Sequence, residues 1–283
     1  MDRRDVLQAL AVSGFIGGPA AASTTPGGAY NPQPKDGLML WAKLNADLSG
    51  KTVFSFTAGT VWGFKPQADD LPLAEFAKRA YGYQTLIARK ARVTADGNVA
   101  IKQRGFTFYL DPDTYLPVTD LKNVFTGRVD KAVYPNAPAS ETIYTPEGPK
   151  ALAGTYPLPS GQGERPYDLR VRTLGEQAFI DDVSFTRFQS GGISWYKLEG
   201  NLWSYACRAA DLTNPALTHI PNTWSQNLVA EWQTWTGMHG TPGHILFKGQ
   251  GTHINASLVP ADFRAMLERQ FPGAFDDIQR WDA

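Results

Sequence analysis

"YQTLIARKARVTADGNVAIKQRGFTFYLD" (residues 83–111) decides the fold class. Apolar and polar side chains alternate over 83–93 and again over 99–111, which is the period of a β-strand. The segment between these two runs contains Asp96-Gly97, a strong hairpin signal because glycine tolerates the backbone geometry of a two-residue turn. The stretch therefore predicts an antiparallel β-hairpin.

The same alternation recurs along the chain, whereas helical spacing is scarce. Further strands are predicted at 51–64, 177–188, 193–212, 223–235 and 244–254. Residues 73–82 predict two or three helical turns. Residues 259–271 predict a longer helix, because a proline stands near its first turn and apolar side chains follow at helical spacing.

These elements predict an all-β, mainly antiparallel fold of roughly eight to ten strands with a C-terminal helix. The sheet must close on itself or form a sandwich to hide its edges. We predict a closed or nearly closed β-barrel, lipocalin- or calycin-like, because such barrels leave an interior for a ligand. A single domain is expected over 37–283, with an irregular insertion rich in proline and glycine at about 134–166.

The first 23 residues predict an export signal. They contain Arg3-Arg4, a short, weakly apolar run and an alanine-rich end, which resembles a twin-arginine signal and its cleavage site. The twin-arginine translocase is then the expected partner during export, and the periplasm is the expected location of the mature protein. Residues 24–36, rich in proline and glycine, are interpreted as a leader that links the signal to the domain.

Charge and motifs exclude several function classes. Lys+Arg and Asp+Glu both number 27, so the formal net charge is zero and no nucleic-acid partner is expected. The Gly-x-Ser-x-Gly elbow of serine hydrolases is absent, and the Gly-Gln-Gly stretches at 161–163 and 249–251 lack the later glycines of a dinucleotide loop. We therefore expect no cofactor. The lone Cys207 lies in an alternating segment and is interpreted as a small core residue.

Three stretches resemble a known family. They are "GYQTLIARKARVTADGNVAIKQRGFTFYLDPDTYLPV" (82–118), "NVFTGRVDKAVYPNAP" (123–138) and "EWQTWTGMHGTPGHILFKGQGTHINASLVPADFRAML" (231–267). The features that carry the resemblance are "YLDP-T" from Tyr109 to Thr114, "FTG" from Phe125 to Gly127, and "PGHILFKGQG" followed by a helix. The chain thus resembles domain-of-unknown-function family 1838, found in bacteria and fungi. The resemblance implies no mechanism, and it agrees with an export signal, which members commonly carry.

All four histidines, His219, His239, His244 and His253, lie in the last quarter of the chain. His239 and His244 flank a turn rather than share a helix face, and no histidine spacing matches a known zinc site, so we expect no metal. Two alternatives remain open for these residues. One is a neutral pocket histidine that acts as an acid or base near neutral pH, and the other is a histidine hydrogen-bonded in a turn.

Aromatic residues and arginines indicate a ligand. Aromatic side chains make up 12% of the chain, and eight are tryptophans. Tryptophan is an awkward core residue but a common pocket lining for apolar or aromatic ligands. Arginines also lie within apolar strands. One that faces a barrel interior needs an anionic partner, from the protein or from a ligand.

Asp181 and Asp182 point to opposite faces of one strand, and we expect one solvated and one paired with an arginine.

Two functions of different classes follow. The first is a cofactor-independent enzyme, a lyase, isomerase or dehydratase, that moves protons on a hydrophobic, aromatic small molecule in the periplasm. The second is a non-catalytic, lipocalin-like carrier for an apolar or aromatic ligand. The candidate catalytic residues are His239, His244, Tyr109 and Arg104, and the candidate substrate-binding residues are Trp232, Trp195, Tyr196, Trp224 and Arg89. The sequence leaves the oligomeric state open.

Overall fold

A computed structural model gives the architecture. It describes residues 28–66, 76–134, 138–151, 167–187, 198–238 and 240–282. The predicted signal over residues 1–23 lies outside the described residues.

Thirteen strands are present in the described part of the chain: β1 (Ala29–Tyr30), β2 (Thr52–Phe64), β3 (Ala77–Val93), β4 (Val99–Leu110), β5 (Asp120–Lys122), β6 (Val129–Lys131), β7 (Ser140–Thr145), β8 (Gly148–Ala151), β9 (Leu169–Leu174), β10 (Gln177–Arg187), β11 (Leu198–Arg208), β12 (Thr223–Ala230) and β13 (His244–Ile254). The helices there are α1 (Pro34–Asn45), α2 (Ala209–Leu212), α3 (Ala261–Gln270) and α4 (Ala274–Gln279), with 3₁₀ turns at Thr234–Thr236, Ala256–Leu258 and Arg280–Asp282.

Eleven strands form one antiparallel sheet in the order β1-β9-β10-β11-β12-β13-β2-β3-β4-β7-β8, and β5 pairs with β6 in a separate two-stranded sheet. The predicted hairpin is confirmed, because β3 and β4 pair from Val93↔Val99 onward and Gly97 in the turn has φ 75°. The prediction of a mainly antiparallel β fold with a C-terminal helix is confirmed.

The predicted closure is not observed. In the described residues the large sheet has two ends, β1 and β8, and they do not pair with each other. Both edge strands are short in the described residues: β1 has two residues and β8 has four. The sheet is therefore open, although both of its halves contact helix α1, as described below.

The two faces of the sheet carry different helices. On the face that we call outer, α3 and α4 cover β2, β3 and β4. Phe263 of α3 packs against Phe56 at 5.6 Å and Phe108 at 4.9 Å between ring centroids, and Phe275 lies 5.9 Å from Phe54. The helix predicted over 259–271 therefore forms, and it buries its apolar side chains on the sheet.

The opposite, inner face carries α1. Proline at its first position, Asp36 in the first turn and Lys43 in the last turn suit a helix. One side of α1 packs on β3, β4 and β7 through Leu38 and Ala42, and another packs on β9 to β12 through Leu44. The helix thus fills the space between the two halves of a curved sheet.

Several segments differ from the sequence predictions. The helical turns predicted at 73–82 are wrong for 77–82, which belong to β3, because pairing with β2 overrides the local helical spacing. Part of the predicted leader belongs to the fold, since β1 pairs with β9 and α1 begins at Pro34. The predicted irregular insertion contains β7 and β8. Within the described residues, no helix is long and apolar enough to cross a membrane.

Candidate ligand pocket

A small pocket lies on the inner face, where the β5–β6 hairpin covers the end of the sheet opposite α1. We call it the Trp232 pocket. Its lining comes from β3, β13, the hairpin and the segment after β12, and it comprises Ala80, Tyr81, Leu121, Lys122, Asn123, Val124, Phe125, Asp130, Trp232, Trp235, Thr236 and Ile245. Because the lining is mostly apolar and aromatic, it has the composition of a small-molecule site.

Aromatic rings form its walls. Phe125 of the hairpin meets Trp232 edge-to-face at 5.5 Å, and Tyr109 lies behind the pocket at 5.2 Å from Trp235. Gly63 makes room for this arrangement, since a Cβ there would lie 2.6 Å from the Phe125 ring and 2.9 Å from the Trp232 ring. The sheet therefore carries a glycine where both rings approach it closely.

A chain of hydrogen bonds runs along the base of the pocket. The hydroxyl of Tyr81 donates to Oε1 of Gln233, and Nε2 of Gln233 donates to the Tyr109 hydroxyl at 2.7 Å. Gln233 is buried. Burial raises the pKa of Tyr109, while its hydrogen bond with Gln233 opposes that shift. The Tyr109 hydroxyl is therefore protonated at neutral pH and serves as a hydrogen-bonding group.

Asp130 on β6 is the acidic residue of this lining. One carboxyl oxygen, Oδ1, accepts hydrogen bonds from the Arg128 guanidinium. The other, Oδ2, is buried and has no hydrogen-bond partner among the residues that the structure describes. Buried carboxyl oxygens normally have partners, because an unsatisfied one costs free energy. Oδ2 is therefore a free acceptor at an apolar pocket.

Asn123 holds the hairpin over the pocket. Its side-chain amide donates to the Thr236 carbonyl at 2.9 Å, and its Oδ1 accepts from the backbone N–H groups of Phe125 at 2.9 Å and Thr126 at 3.1 Å. The remaining space is about 30 Å³, which holds about one water molecule.

Two of the predicted site residues meet at this pocket. Trp232 lines it, and Tyr109 lies directly behind it. Arg104 is on the outer face, where its guanidinium lies 3.8 Å from Asp277 and 5.0 Å from the Phe106 ring. Arg104 and Tyr109 are five residues apart on one strand, so their side chains point to opposite faces.

His244 also lies away from the pocket. It is exposed on the outer face and stacks on Phe64 at 5.0 Å with an interplanar angle of 7°. Ile245, the next residue, faces the pocket instead, as alternation requires. His239, Trp195 and Tyr196 lie outside the described residues.

Trp224 and Arg89 are on the inner face but near α1. The Trp224 indole donates to Oγ1 of Thr57 at 3.1 Å, and the Arg89 guanidinium lies 3.4 Å from Oγ of Ser55. The described candidate residues therefore lie in three places: at the Trp232 pocket, at the α1 end of the inner face, and on the outer face.

His253 links α1 to the sheet, and His219 packs against its ring. His253 Nε2 lies 2.9 Å from the Leu44 carbonyl, Nδ1 lies 3.2 Å from Oγ of Ser55, and its ring is 4.5 Å from that of His219. Burial, the neighbouring His219 and the positive charge of Arg89 lower the pKa of His253 to about 3, although the Leu44 carbonyl opposes them. His253 is therefore neutral and packs as a core residue. No group of three or more metal-ligating side chains occurs among the described residues.

The sequence reasoning missed Asp130, Tyr81 and Gln233. Only the alternation in "RVDKA" could have indicated that Asp130 points inward between two outward neighbours. The burial of Asp182 was also not predicted. The opposite orientation of Asp181 and Asp182 is confirmed, and Asp181 pairs with Arg172 at 2.5 Å. Asp182 is buried, however, and burial raises its pKa to about 6 despite a hydrogen bond with Trp41.

Comparison with known proteins gives a family. Residues 50–277 match the family described as "Protein of unknown function (DUF1838)". The chain belongs to this family. The match covers β2 to α4 and includes every described residue of the Trp232 pocket. No curated protein and no solved structure matches the chain.

Proposed function

We propose that this DUF1838 protein is a cofactor-independent enzyme that binds a small, mainly apolar or aromatic molecule in the Trp232 pocket and moves protons on it. The observation that carries the proposal is the buried, unpartnered Oδ2 of Asp130 at an apolar pocket. A ligand that donates a hydrogen bond or a proton to this oxygen would satisfy it, which the protein itself does not do.

Asp130 is the proposed base. Its Oδ2 takes a proton from a carbon beside a carbonyl group of the ligand. The electron pair of the broken C–H bond forms a C=C bond, and the π pair of the carbonyl group moves onto its oxygen. The Tyr81 hydroxyl, which donates to Gln233 in the free protein, turns to stabilise this oxyanion. In an isomerase the carbonyl group re-forms as Asp130 returns the proton to another atom of the ligand. In a lyase or dehydratase the carbonyl group re-forms as the bond from the next carbon to the leaving group breaks, and the leaving group takes the proton. This sequence fits an isomerase, a lyase or a dehydratase.

We also propose that the curved sheet forms a nearly closed, lipocalin-like barrel that contains the ligand. Contacts of α1 support it, because Trp41 packs on Tyr144 of β7 at 4.7 Å, while Asn45 donates to the Tyr205 hydroxyl of β11 at 3.3 Å. These strands lie in opposite halves of the open sheet. The curved sheet and α1 would together exclude water from the inner face. We propose that the enzyme works in the periplasm after twin-arginine export.

The first experiment identifies the ligand and the reaction. The mature protein is purified, extracted with solvent and examined by mass spectrometry, and the compounds found are offered back to fresh protein. We expect Asp130→Asn to keep affinity within about tenfold and to slow turnover roughly a hundredfold or more, as for a lost general base. Asp120→Asn, which removes an exposed carboxylate on the adjacent strand of the hairpin, is the matched control and should behave as wild type.

Histidine variants complete this test. His244→Ala should retain full turnover, because its ring stacks outside the pocket. His239→Ala tests the prediction that His239 is the catalytic acid or base. Full turnover of Asp130→Asn together with a large loss in His239→Ala would contradict Asp130 as the base.

A non-catalytic carrier is the second candidate. It is favoured by the Tyr81–Gln233–Tyr109 chain, whose hydroxyl and amide groups are hydrogen-bonded to each other and suit ligand binding without titration at neutral pH. If extracted or screened aromatic compounds bind but none is converted, and Asp130→Asn changes only affinity, the carrier function is correct.

A further inference from the structure

The inner face has a gap between its two packed ends. Toward α1, the inward side chains Ala91, Val99 and Ile101 are buried, and toward the Trp232 pocket Tyr83 and Tyr109 are buried. Between these ends the inward residues of β3 and β4 are half-buried or exposed, namely Thr85, Ile87, Arg89, Gln103, Gly105 and Thr107. Helix α1 lies near the Arg89 end of this stretch, where Ser55 contacts both Arg89 and His253.

Arg89 is the charged residue of β3 and β4 in this gap. Its Nη1 donates to Oγ of Ser55 at 3.4 Å and its Nε donates to Oε1 of Gln103 at 3.5 Å, so both hydrogen bonds are long. No carboxylate of the described residues lies within 4.0 Å of its guanidinium. Most of its five N–H donors are therefore available to a further acceptor.

The neighbourhood of Arg89 does not neutralise its charge. Burial lowers the pKa of Arg89, whereas Tyr144 and Tyr205 oppose this effect. Both tyrosines have pKa values raised by burial, so they are neutral at physiological pH. His253 is neutral as well. An inward arginine without a protein anion is costly, and an anionic ligand would remove that cost.

We propose that the gap at Arg89 is a second binding site, separate from the Trp232 pocket, for the carboxylate group of a small organic acid. The guanidinium matches a carboxylate in shape and donates two parallel hydrogen bonds to it. A single cation balances one negative charge, so a monoanionic carboxylate fits better than a phosphate dianion. The hydroxyl groups of Thr85 and Thr107, 2.9 Å apart, lie on the same inner face two inward positions further along the strands.

The test uses the mature protein with benzoate as the probe and benzamide as its neutral analogue of the same shape, at constant ionic strength. Benzoate should raise the melting temperature and shift the Nε–H resonance of Arg89 in protein carrying ¹⁵N-labelled arginine, whereas benzamide should do neither. Arg89→Gln should weaken benzoate binding at least about tenfold, as expected for a lost charge-assisted pair. Arg89→Lys keeps the charge without the paired geometry and should give an intermediate affinity.

Two control variants locate the effect. Arg92→Gln removes an arginine of the same strand that is exposed and paired with Glu141, and it should bind benzoate as wild type does. Trp232→Ala should also retain benzoate binding, which separates this site from the Trp232 pocket. If Arg89→Gln fails to fold, Arg89→Lys and the resonance shift decide.

The proposal is overturned if benzoate has no effect on the wild type, or if it acts equally on Arg89→Gln. Sulfate binding as tight as that of benzoate would overturn the assignment to a carboxylate. Loss of benzoate binding in Trp232→Ala, with Arg89→Gln unaffected, would place the acid in the Trp232 pocket instead.

Discussion

The hydroxyl of Tyr83 on β3 donates to Oε1 of Gln226 on β12 at 3.2 Å, although β2 and β13 separate the two strands. Tyr83 spans this distance by lying flat on two glycines that pair with each other, Gly59 of β2 and Gly249 of β13. A strongly curved sheet and the absence of side chains below the ring are both required. The hydrogen bond therefore reports the curvature that encloses the inner face.

Gly249→Ala should destabilise the fold. A Cβ at this position would lie 2.2 Å from the Tyr83 hydroxyl and 3.0 Å from the Ala58 carbonyl oxygen, so the ring must move. We expect a loss of about 1–3 kcal/mol in the free energy of unfolding, as for other overpacked cores, measured by urea denaturation.

Two further variants control this experiment. Gly105→Ala places a methyl group on the same face with its nearest neighbour at 3.5 Å, and it should change stability by less than about 0.5 kcal/mol. Adding Tyr83→Phe to Gly249→Ala removes the clashing hydroxyl and should restore part of the loss. Equal stability of Gly249→Ala and wild type would mean that Tyr83 does not lie over Gly249 in solution.

Asn123→Ala should loosen the β5–β6 hairpin. The change removes three hydrogen bonds that tie the hairpin to itself and to Thr236. At about 0.5–1.5 kcal/mol each, their loss should speed amide hydrogen exchange in residues 120–131 by roughly tenfold or more. Asn214→Ala, which removes a similar loop contact to the Ala216 N–H far from the pocket, should leave exchange in the hairpin unchanged. Unaltered hydrogen exchange in Asn123→Ala would contradict the conclusion that Asn123 holds the hairpin over the pocket.

Export is tested with the paired arginines. Replacing Arg3 and Arg4 by lysine should leave the full-length precursor in the cytoplasm, because a receptor reads the arginine pair and a conserved charge does not replace it. Fractionation followed by mass determination of the N-terminus measures the outcome. Normal processing of the double-lysine variant would contradict the twin-arginine prediction.

Strands were predictable from the sequence because alternation is a local property of one segment. The runs at 83–93 and 99–111 and the Asp96-Gly97 turn identified β4 within one residue and all of β3 except its first six residues. Helix α1 was not predicted, because its first residues continue a stretch rich in proline and glycine. Its helical state depends on burial between the two halves of the sheet, which local composition does not reveal.

The candidate site was less predictable for the same reason. Trp232 was identified from its residue type, because a large amphipathic ring on an aromatic-rich segment suits a pocket wall. Asp130 was missed because its significance is that Oδ2 lacks a partner, and this depends on how a separate hairpin packs over the sheet. Arg104 and His244 lie on the outer face, away from the Trp232 pocket, which the sequence did not reveal because one register step moves a side chain to the other face.

Asp182 presents a buried carboxyl group on the inner face beside Trp203, its cross-strand neighbour. Burial raises its pKa to about 6, and the nearby Asp168 adds to the shift. An aspartate in an unfolded chain has a pKa of about 3.9. Between about pH 4 and pH 6 the folded protein therefore holds a proton that the unfolded chain has released. Stability from this group is thus highest at acidic pH and is lost as the pH rises through 6.

Asp182→Asn should remove this pH dependence, because the amide keeps the shape of the protonated acid and cannot ionise. The difference in unfolding free energy between the variant and wild type should grow in the variant's favour from pH 4 to pH 8, by roughly 2–3 kcal/mol for a shift of about two units. Urea denaturation across this range measures it. Asp181→Asn is the matched control on the outer face: it removes a pair with Arg172 and should not produce such a gain at alkaline pH. A constant difference between Asp182→Asn and wild type at every pH would show that Asp182 titrates normally and is hydrated in solution.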